Sequence, residues 1–539
     1  MKKTLTMVLA LVLCLALAAP ALADSSNFNA DGEYPLFKDK VTLTIGVKQH
    51  ANVEDWNTNW QTLYLEELAN VDLQFEVYAS EMNTQITLAI TGGTELPDIL
   101  FTSPSLDLLY QWALAGAVIP LGDYYDNYAY YINDAIKRTG VDFKPLVTSP
   151  DGEIYTLPTF NQSLTNEAPD KIWIYQPWLD ALNMKAPTNA EELYEVLKAF
   201  KEKDPNGNGE ADEIPLMSAT NITTKDAWWR AIMNMYLYVP NIPQSVKDGK
   251  VFYYAATDEY REGLKFIRKL IDEGLVDPMT FTADKTQFTA LINGETNVVG
   301  MTMDMIPYGN ANTPRIAEFT GLEPFTGVDG VKRTTFAPSL PVVSAMITSS
   351  CEDPEAAFRF LDLLYRQDMS IINHWGEEGK HWAWAEETDV SPYANMGYEA
   401  SFREIEPLWG TVQNIMWYQT GPYAREYFIA SGRVLPDNPL TTGARAATIQ
   451  WAYTPCYPAE GEYIPRFIYT EEESDEISLT LTDLSTYIAT ARTNFMMNAE
   501  GMDIYSDECW NAYLAQLDTI GLQEVLPILQ EVYDRMYGE

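Results

Sequence analysis

VTLTI at 41–45, VDLQFEV at 71–77 and PDILF at 97–101 are three apolar segments spaced like the strands of one sheet. The first two alternate with a period of two, as half-buried strands do. Between them, Trp60, Leu63, Tyr64 and Leu68 recur at helical spacing within residues 58–69. Residues 82–91 also read as a helix, ended by Gly92-Gly93. Strand, helix, strand, helix, strand is the signature of a parallel α/β sheet.

Further along, DGEIYTLP at 151–158 reads as a tight turn and a short strand, and KIWIY at 171–175 as another strand. Thr188 and Glu191 have the spacing of a capping box, opening a helix with Leu193, Val196, Leu197 and Phe200 on its apolar stripe. Residues 258–273 and 354–365 follow the same helical pattern, as does the tail from Trp510 to Tyr537, interrupted by Gly521 and Pro527. No internal repeat or low-complexity linker separates these segments, so domains are expected to be interwoven.

The chain has 539 residues, too many for one ordinary core. With 35 basic against 77 acidic side chains its net charge is −42, and 46 % of its residues are hydrophobic. That apolar content is enough to offset chain entropy, which excludes a disordered acidic tail. The charge argues against nucleic acid and anionic membranes, both of which need a basic face. Residues 1–23 carry Lys2 and Lys3, an apolar run to about Ala19, Pro20, and the small-x-small Ala21-Leu22-Ala23. This reads as a signal peptide cleaved after Ala23, with export to an extracytoplasmic location. Cys14 lies inside the apolar run, after Leu13, and does not suit lipid attachment. Removal of the peptide leaves Cys351, Cys456 and Cys509, an odd number with no metal-binding spacing, read as structural thiols.

DPNGNGEADE at 204–213 is the sharpest local signal. Asp204, Asn206 and Asn208 offer oxygens at alternate positions, Gly209 permits the turn, Glu210 presents a carbonyl, and Asp212 falls at position nine of a calcium loop. Position twelve is Pro215, leaving Glu213 as the nearby carboxylate that could close the shell. The alternative is an acidic turn held by Asx hydrogen bonds. Signatures of catalysis are missing: no GxSxG, HExxH or phosphate-cradling loop occurs, and His50, His374 and His381 are the only histidines.

The 14 Trp, 33 Tyr and 20 Phe suit stacking on sugar faces, although most must fill the interior. Those in polar loops stand out: Trp56 in QHANVEDWN, Trp375, Trp382 and Trp384 in NHWGEEGKHWAW, with Glu378 and His381 beside Trp375, and Trp417 and Tyr418 after GTVQN. Asp304 follows the apolar strand containing Val298-Val299-Gly300. Ligand residues of a two-lobed binder come from loops after strands in both lobes. Interior packing is the alternative for each.

Taken in order, TGGTELPDILF, DGEIYTLP, the block from Trp173 through DPNGNGEADEIPL, DPEAAFRFLDLLYRQD, GEEGKHW and the tail WNAYLAQLDTIGLQEVLPILQEVYDR resemble an extracytoplasmic solute-binding protein of a carbohydrate-type ABC importer. More narrowly they resemble the subfamily named for lipoprotein LplA, which includes alginate-oligosaccharide binders. The resemblance implies an α/β, two-lobed fold with a ligand cleft between the lobes, a monomer that binds an oligosaccharide and delivers it to a membrane permease, and no enzymatic activity. It implies a structural Ca2+ held by the side chains of Asp204, Asn206, Asn208, Asp212 and Glu213 and the carbonyl of Glu210. It places an N-terminal lobe at 39–157 and 312–372 and a C-terminal lobe at 158–311 and 373–539, with crossings near 157–172, 300–312 and 366–375. The rival readings are a secreted glycoside hydrolase, which needs two facing carboxylates, and a binder of peptides or other solutes.

Overall fold

The computed structural model describes residues 27–224, 226–306, 314–435 and 442–538. The signal peptide expected at 1–23 lies outside them. Strands are numbered along the chain. Leu43, Ile45 and Val47 bury one face of β1 (Val41–Lys48). β1 pairs in parallel with β2 (Val71–Tyr78) on one side and β3 (Ile99–Phe101) on the other. The connection to β2 is the helix Trp60–Ala69, which starts where the Asn59 side chain accepts from Gln61 N and ends at Asn70 in the left-handed region. The helix Met82–Gly92 then leads to β3.

Three distant segments complete this sheet. β4 (Leu157–Asn161), β11 (Val342–Ile347) and β14 (Ala424–Arg425) extend it to the order β14–β4–β11–β3–β1–β2. The buried cluster around it draws on residues 28–160 and 345–429. A second sheet runs β10–β5–β9–β6, with β5 at Ile172–Tyr175, β6 at Ile214–Leu216, β9 at Val299–Met303 and β10 at Phe319–Leu322. Its core takes residues 168–325 and 449–533. The hairpin β7 (Gln244–Lys247) and β8 (Lys250–Tyr253) and the long helix Glu471–Met497 belong to this second body. A small sheet of β12 (Trp382–Trp384), β13 (Phe402–Glu404) and β15 (Arg433–Val434) packs Trp382 and Phe402 into the first core.

These pairings redraw the expected boundaries. The chain leaves β9 and returns to the same sheet as β10, so the crossing expected near 300–312, part of which lies outside the described residues, is replaced by one at 323–341. The helix Gln367–Trp375 and the strands β14 and β15 stay with the first core, so the last crossing moves from 366–375 to the stretch after Val434, part of which lies outside the described residues. The connection between β4 and β5 occupies 162–171. The expected capping box does not form: the N-cap is Asn189, which accepts from Glu192 N, while Thr188 before it donates its backbone N–H and its hydroxyl to the Glu192 carboxylate.

β9 carries Gly300 because its neighbours leave no room for more. A Cβ there would meet the Phe200 ring at 2.5 Å and the Trp178 ring at 2.7 Å, both fully buried side chains. Gly300→Ala is expected to destabilise the fold by ~1–3 kcal/mol, the usual cost of overpacking. Urea unfolding measures it, and an unchanged midpoint would show that the rings yield freely.

Candidate functional site

In the first body, β1 and β3 end on the edge where a parallel sheet places its ligand loops. Phe101, the last residue of β3, packs against Trp417 with ring centroids 5.9 Å apart. Trp417 is fully buried, its indole N–H donating to Thr62 Oγ1 and its backbone N–H to Gln61 Oε1. Trp56 is buried in the same core, 5.6 Å from Phe75, and Thr62 Oγ1 donates to its carbonyl. Both thus serve as interior rings beneath the loop edge.

The residue after Trp417 points elsewhere. Tyr418 has φ 55° and Gln419 φ 65°, two consecutive non-glycine residues in the left-handed region, a conformation retained where surroundings enforce it. Tyr418 stacks between His50 (centroids 4.3 Å) and Trp409 (4.3 Å, 16° between planes). Trp409 leans on His374 at 4.4 Å, and His374 lies flat on Trp375 at 3.8 Å. The result is a run of five rings from the loop after β1 to the end of the helix Gln367–Trp375. Tyr418 Oη accepts from Gly410 N and so fixes the turn that carries Trp409. Trp409 is 49 % exposed, whereas Trp375 is buried. Tyr418 was noted in the sequence with Trp417, after the GTVQN turn, whereas Trp409 and His374 were not singled out as ligand candidates; the only signal for Trp409 was the turn it shares with Gly410.

Beneath this run lie two guanidiniums, Arg425 buried and Arg433 half-buried. Arg425 stands 4.6 Å and Arg433 5.4 Å from the Trp375 ring. Arg425 donates to His374 Nδ1 and to the Ser370 carbonyl. Burial and these two cations hold the His374 pKa well below its ordinary value, so it accepts as neutral imidazole. His381 is buried, and its Nδ1 accepts from Glu377 N, which fixes the turn after Trp375. Glu378 is exposed on that turn.

Asp304 belongs to the second body, directly after β9. Its Oδ1 accepts from Thr224 N and Met305 N, and its buried Oδ2 has no partner among the described residues. Burial pushes its carboxyl up to about 7 and pushes the neighbouring Lys171 ammonium down to about 7. Lys171 donates to the Thr165 and Ala168 carbonyls, while Asp170 pairs with Arg230 through two hydrogen bonds at 2.7 and 2.6 Å. The structure thus groups Trp56 with Trp417 and Trp375 with His381 in one body, and Asp304 apart in the other.

The acidic loop joins the helix Ala190–Glu202 to β6. Asp204, Gly207 and Gly209 all have positive φ, which curls the backbone inward. Asp204 accepts from Asn208 N and Gly209 N, Asn206 Oδ1 from Asn208 N, and Asn208 Oδ1 from Glu210 N. The Asp212 carboxylate accepts from both asparagine amides. Glu213 Oε1 is buried and unpartnered, and burial together with Asp204 and Asp212 raises its pKa. Crowded carboxylates with an orphaned oxygen fit a hard cation. Among the described residues no three His, Cys, Asp or Glu side chains converge to hold an ion alone, so the amide oxygens are needed. The three cysteines are free thiols, Cys351 buried and Cys456 and Cys509 half-buried.

Asp304 generates a pH-dependent expectation. Its folded pKa lies above the ordinary carboxyl value, so the native state holds the extra proton between about pH 4 and 7. Stability is therefore lost as pH rises through that window, and the penalty is complete above it. Asp304→Asn keeps the acceptor for Thr224 and Met305. It should gain stability relative to the unsubstituted protein at pH 8 and lose that advantage by pH 4 in urea unfolding. A difference that does not vary with pH would mean the carboxyl is not buried as a charge.

Comparison with known proteins agrees with this architecture. The fructooligosaccharide ABC transporter substrate-binding protein FusA of Streptococcus pneumoniae serotype 4 (strain ATCC BAA-334 / TIGR4) is 27 % identical, across 99 % of this chain and 98 % of its own. The structure of Streptococcus pneumoniae FusA with kestose superposes with a TM-score of 0.72 at 26 % identity, covering 92 % of this chain and 99 % of that one. A FusA EF-hand mutant with fructo-nystose gives 0.71 at 25 % identity over the same shares. An extracellular solute-binding protein of Bifidobacterium longum subsp. infantis shares the fold, with a TM-score of 0.75 at 22 % identity over 94 % of this chain and 99 % of that one. The family model for bacterial extracellular solute-binding proteins matches residues 50–369, more than half of the sequence, and the chain belongs to that family.

Proposed function

We propose that this chain is the substrate-binding component of an ABC importer, which closes its two lobes on an oligosaccharide and presents it to the membrane permease. The observation that carries the reading is the five-ring run at the loop edge of the first sheet, ending in half-exposed Trp409. A flat aromatic face takes the apolar face of a sugar ring, while polar groups around it bind the hydroxyls. Asp304, following β9, is the counterpart from the second lobe, and Trp375, His381 and Glu378 shape the turn beside the platform. Trp56 and Trp417 support it from below. The strong similarity to FusA makes short fructooligosaccharides such as kestose the first probes. Relatives of this kind are named as binding proteins, and capture by hinge closure needs no bond-making step.

Calcium is part of the proposal. Asp204, Asn206, Asn208, Asp212 and Glu213, with the Glu210 carbonyl, are the residues that would hold it, and FusA has been studied as an EF-hand mutant. Export with cleavage after Ala23 and no lipid on Cys14 completes it. Among the described residues no helix is long and apolar enough to cross a membrane.

Titration calorimetry with kestose should show binding without release of monosaccharide; hydrolysis in the same sample would favour a glycosidase. Trp409→Ala should weaken binding at least tenfold while barely changing the melting temperature, whereas Trp417→Ala should cost ~3–5 kcal/mol of stability. Unchanged affinity in Trp409→Ala would remove the platform from the site. At ~1 mM calcium, a dissociation constant of ~10⁻⁵ M would add about 2.7 kcal/mol of stability. A chelator should therefore lower the melting temperature, and Asp204→Ala should abolish that response. Melting indifferent to chelator in metal-free protein would reduce the loop to a turn.

A further inference from the structure

Three connections between the lobes involve described residues: 162–171 between β4 and β5, 323–341 between β10 and β11, and the stretch that follows β15, part of which lies outside the described residues. Glu167, on the first of them, ties the second to the helix Tyr427–Ser431, which leads through β15 into the third. Its Oε1 accepts from Ser339 Oγ on the second segment at 2.9 Å and from the Tyr427 hydroxyl of that helix. Its backbone carbonyl accepts from Ala337 N, again on the second segment. The side chain is 4 % exposed. Leu164 on the first segment packs with Tyr393 and Ala447, and Met396, Tyr398 and Tyr427 lie against them, so the carboxylate sits at an apolar seam between the bodies.

We propose that Glu167 is a positioning residue for ligand capture: one carboxylate that clasps two crossings to the helix leading into the third and keeps the hinge ordered before the ligand arrives. This rests on the reading of the chain as a binder that closes on its solute.

A hinge of three independent strands of chain would have to be ordered during binding, and that ordering would oppose affinity. A shared acceptor removes much of this cost in advance. The groups facing Glu167 are the phenols of Tyr427, Tyr398, Tyr457 and Tyr463 together with the Ser339 hydroxyl. Lys171, four residues on, donates to the Thr165 and Ala168 carbonyls instead. Burial raises the Glu167 carboxyl, and the bonds from Tyr427 and Ser339 act against that rise. The clasp is thus made of hydrogen bonds to one oxygen, not of an ion pair. Gln162 joins the first segment to the same helix separately, its Oε1 accepting from Tyr427 N, so Glu167 is what brings in the side chain of the second segment.

Hydrogen exchange read by mass spectrometry tests this on the full-length protein. In Glu167→Ala, peptides covering 162–171, 323–341 and 426–435 should all exchange about tenfold faster, while β1 and β9 keep their protection. Glu167→Gln retains an acceptor at Oε1 and should keep all three protected. Tyr427→Phe should release 162–171 and 426–435 but spare 336–341. Should Glu167→Ala fail to fold, Tyr427→Phe combined with Ser339→Ala removes the same two bonds and should release all three segments. Deprotection confined to 162–171, or Glu167→Gln behaving like Glu167→Ala, would overturn the proposal. In parallel, Glu167→Ala should bind kestose about tenfold more weakly. If the unsubstituted protein does not bind kestose, the ligand assignment fails, and the exchange comparison still decides the clasp.

Discussion

The N-terminal sheet cannot be finished by the stretch of chain that begins it. β1, β2 and β3 come from one continuous segment, but β4, β11 and β14 are supplied after the chain has run up to, or returned from, the other lobe. Three crossings follow from that constraint. A pair of bodies joined three times can rotate about its connections but not drift apart, the geometry that hinge closure uses. The crossings also decide where the ligand loops stand. The segment 408–421 can bring Trp409 and Tyr418 over the ends of β1 and β3 because β14, a few residues on, is stitched to β4.

The distribution of charge fits capture of an uncharged or weakly charged solute. The surface is broadly anionic, since acidic side chains outnumber basic ones 77 to 35. Cations near the platform are spent inward: Arg425 and Arg433 lie against Trp375, and His374 stays neutral between them. Their role is to stiffen the ring run through cation–π contact. What remains outward is an aromatic face, which recognises shape and apolar area more than charge.

Much of the fold could be read in the sequence because its first elements obey strict periods. The strands at 41–45 and 71–77 and the helix between them stand where alternation and helical spacing put them. The crossings could not be read in this way. β10 has four residues and β14 two, too short to carry a period, and they are defined by partners more than a hundred residues away. The same limit applied to the site. Trp56 and Trp417 drew attention through polar neighbours, yet Asn59, Gln61 and Gln413 turn inward to satisfy backbone groups at Met416 and Trp417. Polar residues near a tryptophan therefore marked a buried knot. Trp409 carried no pattern, since its exposure depends on the hydroxyl of Tyr418 reaching back to Gly410. The acidic loop was legible because its chemistry is local: its oxygens are spaced along one turn.

The central claim is that ligand binding and lobe closure are one event. Small-angle X-ray scattering of the full chain, with and without saturating kestose, measures it most directly. The account predicts that the radius of gyration contracts on binding and that the scattering changes in step with calorimetric saturation. Tight binding with no change in the radius of gyration would contradict it.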